Sequence, residues 1–97
     1  MATVIWSEHA LRDLEVACLF MSRDRPEAAQ RLREQAFRTT ERLADFPRSG
    51  RMVPETNSDD FREIFVQSYR IIYQVTENEV YILTVFHGAR RLEPGEL

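Results

Sequence analysis

The segment from Phe61 to Leu92, FREIFVQSYRIIYQVTENEVYILTVFHGARRL, decides the fold. It contains three apolar runs separated by the short polar breaks Gln67-Ser68 and Glu77-Asn78-Glu79. This spacing predicts consecutive antiparallel strands joined by tight turns. A purely structural sheet would favour apolar or small polar residues, yet cationic and titratable side chains lie in or just after these runs: Arg70, His87, Arg90 and Arg91. We therefore expect one face of this sheet to be functional.

The residues before this sheet predict one strand and a helical hairpin. Thr3 to Trp6 is a short β-rich run, and Ser7 is a favourable N-cap for a helix from about Ser7 to Ser22. Pro26 is placed as a first helical residue, and Pro47 ends the second helix near Phe46. The prediction is an α+β fold: an N-terminal strand, an α-helical hairpin, then a three-stranded antiparallel meander that completes one sheet.

Length and composition indicate one globular domain spanning residues 1–97. A chain of 97 residues is long enough for one core and too short for two, and 43% hydrophobic with 30% charged residues is ordinary for a globular protein. The sequence contains no apolar run near the roughly 20 residues that span a bilayer, and it does not begin like a signal peptide. We expect a cytoplasmic protein that does not bind membranes.

The charged residues restrict the possible partners. All thirteen basic residues are arginine, and sixteen acidic residues outnumber them, so the formal net charge is −3. Tight non-specific binding to DNA or RNA normally draws on excess cations, so we do not expect it here. Arginine does suit local contacts, because its planar guanidinium pairs bidentately with carboxylate or phosphate.

The first predicted helix carries more apolar surface than one sheet can cover. Its apolar residues fall on more than one stripe, and the widest part is formed by Leu14, Val16, Leu19, Phe20 and Met21. Either the second helix covers the remainder or a partner protein does. The sequence itself leaves both possibilities open.

Common cofactor chemistry is not indicated. His9 and His87 are far apart and Cys18 is the only cysteine, so the spacing of a zinc site is absent. The three glycines stand singly and form neither a phosphate-binding loop nor a nucleophile elbow. We expect no metal and no cofactor.

Four segments resemble the RelE/ParE superfamily, the toxins of bacterial type II toxin–antitoxin pairs. They are VIWSEHALRDL (Val4 to Leu14), FPRSGRMVPE (Phe46 to Glu55), REIFVQSYRIIYQV (Arg62 to Val75) and VYILTVFHGAR (Val80 to Arg90). Each is weak alone, but the four occur in the family's order over nearly the whole chain. The resemblance implies the same α+β fold and a cognate antitoxin bound at the apolar surface of the first helix.

The superfamily divides by target. RelE-like members cut mRNA on the ribosome, whereas ParE-like members inhibit DNA gyrase and are associated with plasmid stabilisation. The SGR loop, the YRIIY strand and the HGAR ending resemble the ParE-like branch. Cleavage of RNA needs a proton acceptor, a donor and cations for the developing phosphorane charge. Nuclease members typically supply lysines, and this chain has none.

The resemblance also assigns residues to the nuclease hypothesis, and the arginines on and around the sheet are the candidates for the gyrase hypothesis. A nuclease would use Glu55 as base, His87 as acid, and Arg70 with Arg90 as phosphate clamps. A gyrase inhibitor would contact its target through Arg51, Arg70, Arg90 and Arg91. A structural alternative for Arg70 is a salt bridge to Glu63 on the neighbouring strand. The favoured hypothesis is a non-enzymatic gyrase inhibitor; the alternatives are a ribosome-dependent mRNA endonuclease and a toxin-fold binding protein that is no longer toxic.

Overall fold

The computed structural model describes residues 1–93 and 95, so Pro94, Glu96 and Leu97 at the end of the predicted domain lie outside the described residues. The elements in chain order are β1 (Thr3–Trp6), α1 (Glu8–Ser22), α2 (Pro26–Glu41), a 3₁₀ turn (Arg42–Ala44), β2 (Arg51–Met52), β3 (Phe61–Val66), β4 (Tyr69–Val75) and β5 (Glu79–His87). The five strands form one mixed sheet in the order β1-β5-β4-β3-β2. Strand β1 pairs parallel to β5, and the other neighbours are antiparallel.

The predicted α+β architecture is confirmed, with two differences. Helix α2 ends at Glu41 and continues as a 3₁₀ turn to Ala44, so the regular helix stops short of Phe46. The segment between the helices and the meander contains the short strand β2, which pairs with Arg62 and Glu63 of β3. Two residues of strand are too few to show an alternating pattern in the sequence, and β2 forms only because β3 offers it a partner.

The helical hairpin packs on one face of the sheet and forms the main core. Ser7 caps α1 as predicted, since its hydroxyl accepts a hydrogen bond from the Ala10 amide at 3.0 Å. Fully buried Leu32 on α2 belongs to the same apolar cluster as Ile71 and Tyr73 of β4. Burying a side chain the size of Leu32 contributes about 1.5–3 kcal/mol. No helix among residues 1–93 and 95 is long and apolar enough to cross a membrane.

The second face of the sheet carries a smaller apolar cluster that we call the outer cluster. Its members are Val53, Ile72 and Leu92, with Phe61 and Phe86 packed against them. Residues 88–93, which we call the strap, follow β5, and through Leu92 the strap covers part of this face. The sheet is therefore covered by helices on one face and partly by loops on the other.

A β-bulge in β5 changes which residues face the helices. Tyr73 pairs with Ile82 and Ile72 pairs with Thr84, so Leu83 is an extra residue in β5. Because side chains alternate along a strand, one extra residue reverses the faces of everything after it. The bulge occurs where β1 ends, and there the Asp13 carboxylate of α1 accepts a hydrogen bond from the Val85 amide at 3.0 Å.

Candidate functional site

Arg70 of β4 lies at the centre of a buried polar cluster on the second face of the sheet. The residue is only 5% exposed. The Nε and Nη2 atoms of its guanidinium donate to Oε1 of Glu63, Nη1 and Nη2 donate to the two oxygens of Glu55, and Nη1 also reaches the carbonyl of Arg90. Because a guanidinium has five N–H groups, these contacts use its whole donor capacity.

Glu63 is the partner that the sequence offered for Arg70, and the structure confirms this salt bridge. The Glu63 side chain has no exposed surface, and its second oxygen accepts a hydrogen bond from Nε of Arg51. A buried carboxylate is costly unless it is paired and hydrogen-bonded, and here two guanidinium groups satisfy it. Arg70 is thereby held in one orientation beneath the strap.

Glu55 joins the loop after β2 to Arg70 and to the strap. Its carboxylate binds Arg70 bidentately at 3.0 and 3.1 Å and accepts a hydrogen bond from the Leu92 amide at 3.2 Å. The hydrogen bonds from Arg70 lower the pKa of Glu55 from 4.5 to about 2. Such a carboxylate is ionised at neutral pH but is a weak proton acceptor.

Gly50 determines how the loop that carries Glu55 approaches the sheet. Its amide donates to the hydroxyl of buried Tyr73 at 3.0 Å. A Cβ at this position would lie 2.5 Å from the Glu63 carbonyl oxygen and 2.6 Å from the Tyr73 hydroxyl, so a side chain does not fit. The glycine of the SGR segment therefore lets the loop pass directly over the strand that carries Glu63.

The pKa of Glu55 predicts a dependence of stability on pH. Since its pKa is lower in the folded protein, the ion pair contributes stability above about pH 4.5, and this contribution is lost as the pH falls toward about 2. We expect the difference in free energy of unfolding between the wild type and Glu55→Gln to shrink over this interval. Urea titrations of both proteins at several pH values measure this difference in free energy. A difference that stays constant with pH would contradict this account.

His87 does not join the Arg70 cluster. It pairs with Tyr69 across the β4–β5 hairpin, and the two rings meet edge-on with centroids 5.6 Å apart. Tyr69 packs against the main core, on the face opposite Arg70. Of the four residues of the nuclease hypothesis, the structure brings Glu55, Arg70 and Arg90 together and places exposed His87 on the other side of the sheet. Within residues 1–93 and 95, no cluster of three or more His, Cys, Asp or Glu side chains could hold a metal ion.

The other predicted target-binding arginines lie around the same cluster. The guanidinium of Arg90 lies 4.7 Å from the Phe86 ring centroid, and that of Arg70 lies 5.1 Å from the same centroid. Arg51 contacts the exposed ring of Phe65 at 5.6 Å. Arg91 is exposed on the strap. The second face therefore presents arginine and aromatic side chains around a buried ion-pair network.

The apolar surface predicted on the first helix is real but narrower than expected. Val16, Leu19 and Phe20 are 65%, 60% and 68% exposed. Leu14 and Met21 belong to the main core instead, at 2% and 8% exposed, because they lie on the side of α1 that packs against α2 and the sheet. The exposed part follows an i, i+3, i+4 spacing, so its members form one surface that we call the α1 face.

Two residues of the site were not identified from the sequence. Phe86 packs against the guanidinium groups of both Arg70 and Arg90, and Leu92 holds the strap on the outer cluster. Counting back from the turn between β4 and β5 would pair Arg70 with Val85, whereas the bulge makes Phe86 its partner. In the sequence, Leu92 is a lone apolar residue after two arginines. This pattern is too weak to predict that Leu92 packs against the sheet.

Two sequence comparisons identify relatives of the chain. The chain matches the family described as the ParE toxin of the type II toxin-antitoxin system parDE over residues 4–92. It is 34% identical over 91 residues to Toxin RelE2 of Caulobacter vibrioides, covering 93% of this chain and 99% of that protein.

Solved structures share the fold. The chromosomal ParDE toxin–antitoxin system from P. aeruginosa aligns with a TM-score of 0.73 at 18% identity, over 90% of this chain and 96% of that chain. The RelBE2 toxin–antitoxin complex from Mycobacterium tuberculosis aligns with a TM-score of 0.58 at 25% identity, over 89% and 96%. The chain therefore belongs to the ParE toxin family of type II toxin–antitoxin systems, within the RelE/ParE superfamily.

Proposed function

We propose that this toxin arrests growth by binding DNA gyrase, without catalysing a reaction of its own. The observation that carries this proposal is the saturation of Arg70 by Glu63 and Glu55. A phosphate clamp needs free N–H donors, and here a phosphate would have to displace two carboxylates from a nearly buried guanidinium. The cluster is built as a scaffold, and the exposed side chains around it supply a binding surface.

The positions of the candidate acid and base also favour a binder. A general base is most effective with a pKa near the working pH, and Arg70 lowers that of Glu55 to about 2. His87 faces the opposite side of the sheet from Arg70, beside Tyr69. No single reacting phosphate could contact Arg70 and His87 from one side of the sheet.

The proposal includes a cognate antitoxin that covers the α1 face in the cytoplasm. Solved relatives include the ParDE system and the RelBE2 toxin–antitoxin complex. Val16, Leu19 and Phe20 form the exposed apolar surface that such a partner would bury. An apolar segment of the antitoxin laid along α1 fits this surface.

A ribosome-dependent mRNA endonuclease is the second candidate. The relative named Toxin RelE2, which matches almost end to end, favours it. In that case, substrate binding would have to open the Glu55–Arg70 pair before Arg70 could contact RNA.

Two assays on purified toxin distinguish these candidates. We expect the wild type to inhibit gyrase supercoiling and to leave ribosome-bound mRNA uncut in primer extension. His87→Ala should inhibit gyrase as strongly as the wild type, because binding energy follows buried contacts and not one titratable group. Codon-linked cleavage that His87→Ala reduces by about 10²–10⁴-fold, with supercoiling unaffected, would establish the nuclease instead.

A further inference from the structure

The strap is an ordered part of the fold. At its start, the Gly88 amide donates to the Ser68 carbonyl at 2.7 Å, and the Arg90 amide donates to the His87 carbonyl at 2.9 Å. A Cβ on Gly88 would lie 3.1 Å from the Ser68 oxygen and 3.2 Å from the Phe65 ring, so the strap passes close to the β3–β4 turn. Leu92 then buries its side chain against Val53 and Ile72. Backbone contacts at one end and an apolar anchor at the other define its path.

Between these ends, the strap is attached to the polar cluster. The Leu92 amide donates to Oε2 of Glu55, and the Arg90 carbonyl lies 3.5 Å from Nη1 of Arg70. Glu55 occupies a distinct position in this network, because one carboxylate binds both the sheet, through Arg70, and the strap, through Leu92. Glu63 contacts Arg70 and Arg51 and would hold Arg70 in place without Glu55.

We propose that Glu55 is a positioning residue that clamps the strap onto the sheet and so presents Arg90 and Arg91 in a fixed orientation to the target. The presentation of Arg90 and Arg91 to the target, which we call the presenting role, rests on the proposed function. The attachment of the strap to the sheet by Glu55, which we call the clamp, does not. An irregular segment without such an attachment is usually mobile, and ordering it on binding weakens affinity. The clamp removes that cost before the target arrives. Glu55 thus acts through its charge and its two hydrogen-bonding oxygens, with no proton transfer.

Amide hydrogen exchange tests the clamp directly. In Glu55→Ala we expect exchange in residues 88–93, including the Leu92 amide, to accelerate about tenfold, because a charge-assisted hydrogen bond is lost. Glu55→Gln keeps one acceptor oxygen and should show a smaller, severalfold increase. Exchange at Ile71 and Ile82 in the paired strands should stay unchanged, since Arg70 keeps Glu63. Glu77→Gln, which removes an exposed carboxylate at the other end of the β4–β5 hairpin, is the matched control and should exchange like the wild type.

A second measurement tests the presenting role. A looser strap is competent for binding only part of the time, so Glu55→Ala should need a severalfold higher concentration to inhibit gyrase. Unchanged exchange in residues 88–93 would overturn the clamp. Accelerated exchange with unchanged inhibition would overturn the presenting role. If the wild type itself does not inhibit gyrase, the proposed function fails, while the exchange data still decide the clamp.

Discussion

Replacing Arg70 by alanine should lower the free energy of unfolding by about 3–5 kcal/mol, because it leaves a buried carboxylate without its main partner. Glu63 has no exposed side-chain surface, and Arg51, itself largely exposed, cannot replace both of the hydrogen bonds from Arg70. The domain as a whole is expected to be stable by only about 5–15 kcal/mol. Urea unfolding followed by circular dichroism measures the change.

Arg48→Ala is the matched control for this experiment. Arg48 also forms two ion pairs, with Asp59 and Asp60, but all three side chains are substantially exposed. Exposed pairs of this kind contribute about 0–1 kcal/mol. If Arg70→Ala were no less stable than Arg48→Ala, the buried network would not be stabilising the fold. The comparison also bears on function, since a loss of toxicity in Arg70→Ala would not by itself demonstrate contact with the target.

Introducing a charge on the α1 face should weaken neutralisation by the antitoxin. Phe20 is 68% exposed in the free toxin, so Phe20→Asp should leave the fold intact. If the antitoxin buries Phe20, an unpaired carboxylate there should weaken the complex by about 2 kcal/mol or more, a factor of roughly thirty. Titration calorimetry of the toxin with its cognate antitoxin measures the loss, and a growth assay with both proteins expressed should show restored toxicity.

Phe46→Asp is the control for position. Phe46 is 67% exposed, almost the same as Phe20, but lies in the loop after the 3₁₀ turn. The Phe46→Asp toxin should bind the antitoxin as tightly as the wild type does. Weakened binding by Phe46→Asp with normal binding by Phe20→Asp would show that the antitoxin interface does not lie on the α1 face. Thermal melts of both variants check that each is folded.

Much of the fold follows from local pattern. The three apolar runs became β3, β4 and β5, and Ser7, Pro26 and the helical spacing between them located α1 and α2. These signals are readable because caps, turns and periodicity act over a few residues. The partnership of Arg70 with Glu63 was also accessible, since a tight hairpin at Gln67-Ser68 places β3 directly beside β4.

The residues of the site depended on longer-range geometry. With regular alternation from the β4–β5 turn, His87 would share a face with Arg70, and the nuclease constellation would assemble. The extra residue Leu83 reverses the faces of the residues after it. Phe86 therefore stacks on Arg70, and His87 meets Tyr69 on the opposite face of the sheet. Nothing in the run EVYILTVFH marks the bulge. The bulge lies where the pairing of β1 with β5 ends, and there the Asp13 carboxylate of α1 accepts the hydrogen bond from the Val85 amide of β5.

The sequence by itself thus determined the order and type of the main elements. It offered the Arg70–Glu63 salt bridge as one alternative for Arg70, and it indicated excess apolar surface on α1 without deciding what covers it. Only the tertiary structure decided that Leu14 and Met21 are core, that Glu55 closes over Arg70, and that the strap is held down by Leu92. The physical reason is that periodicity reports which way a side chain points within its own element. Which groups then meet depends on register, bulges and loop paths, and these are determined by contacts between residues far apart in the chain.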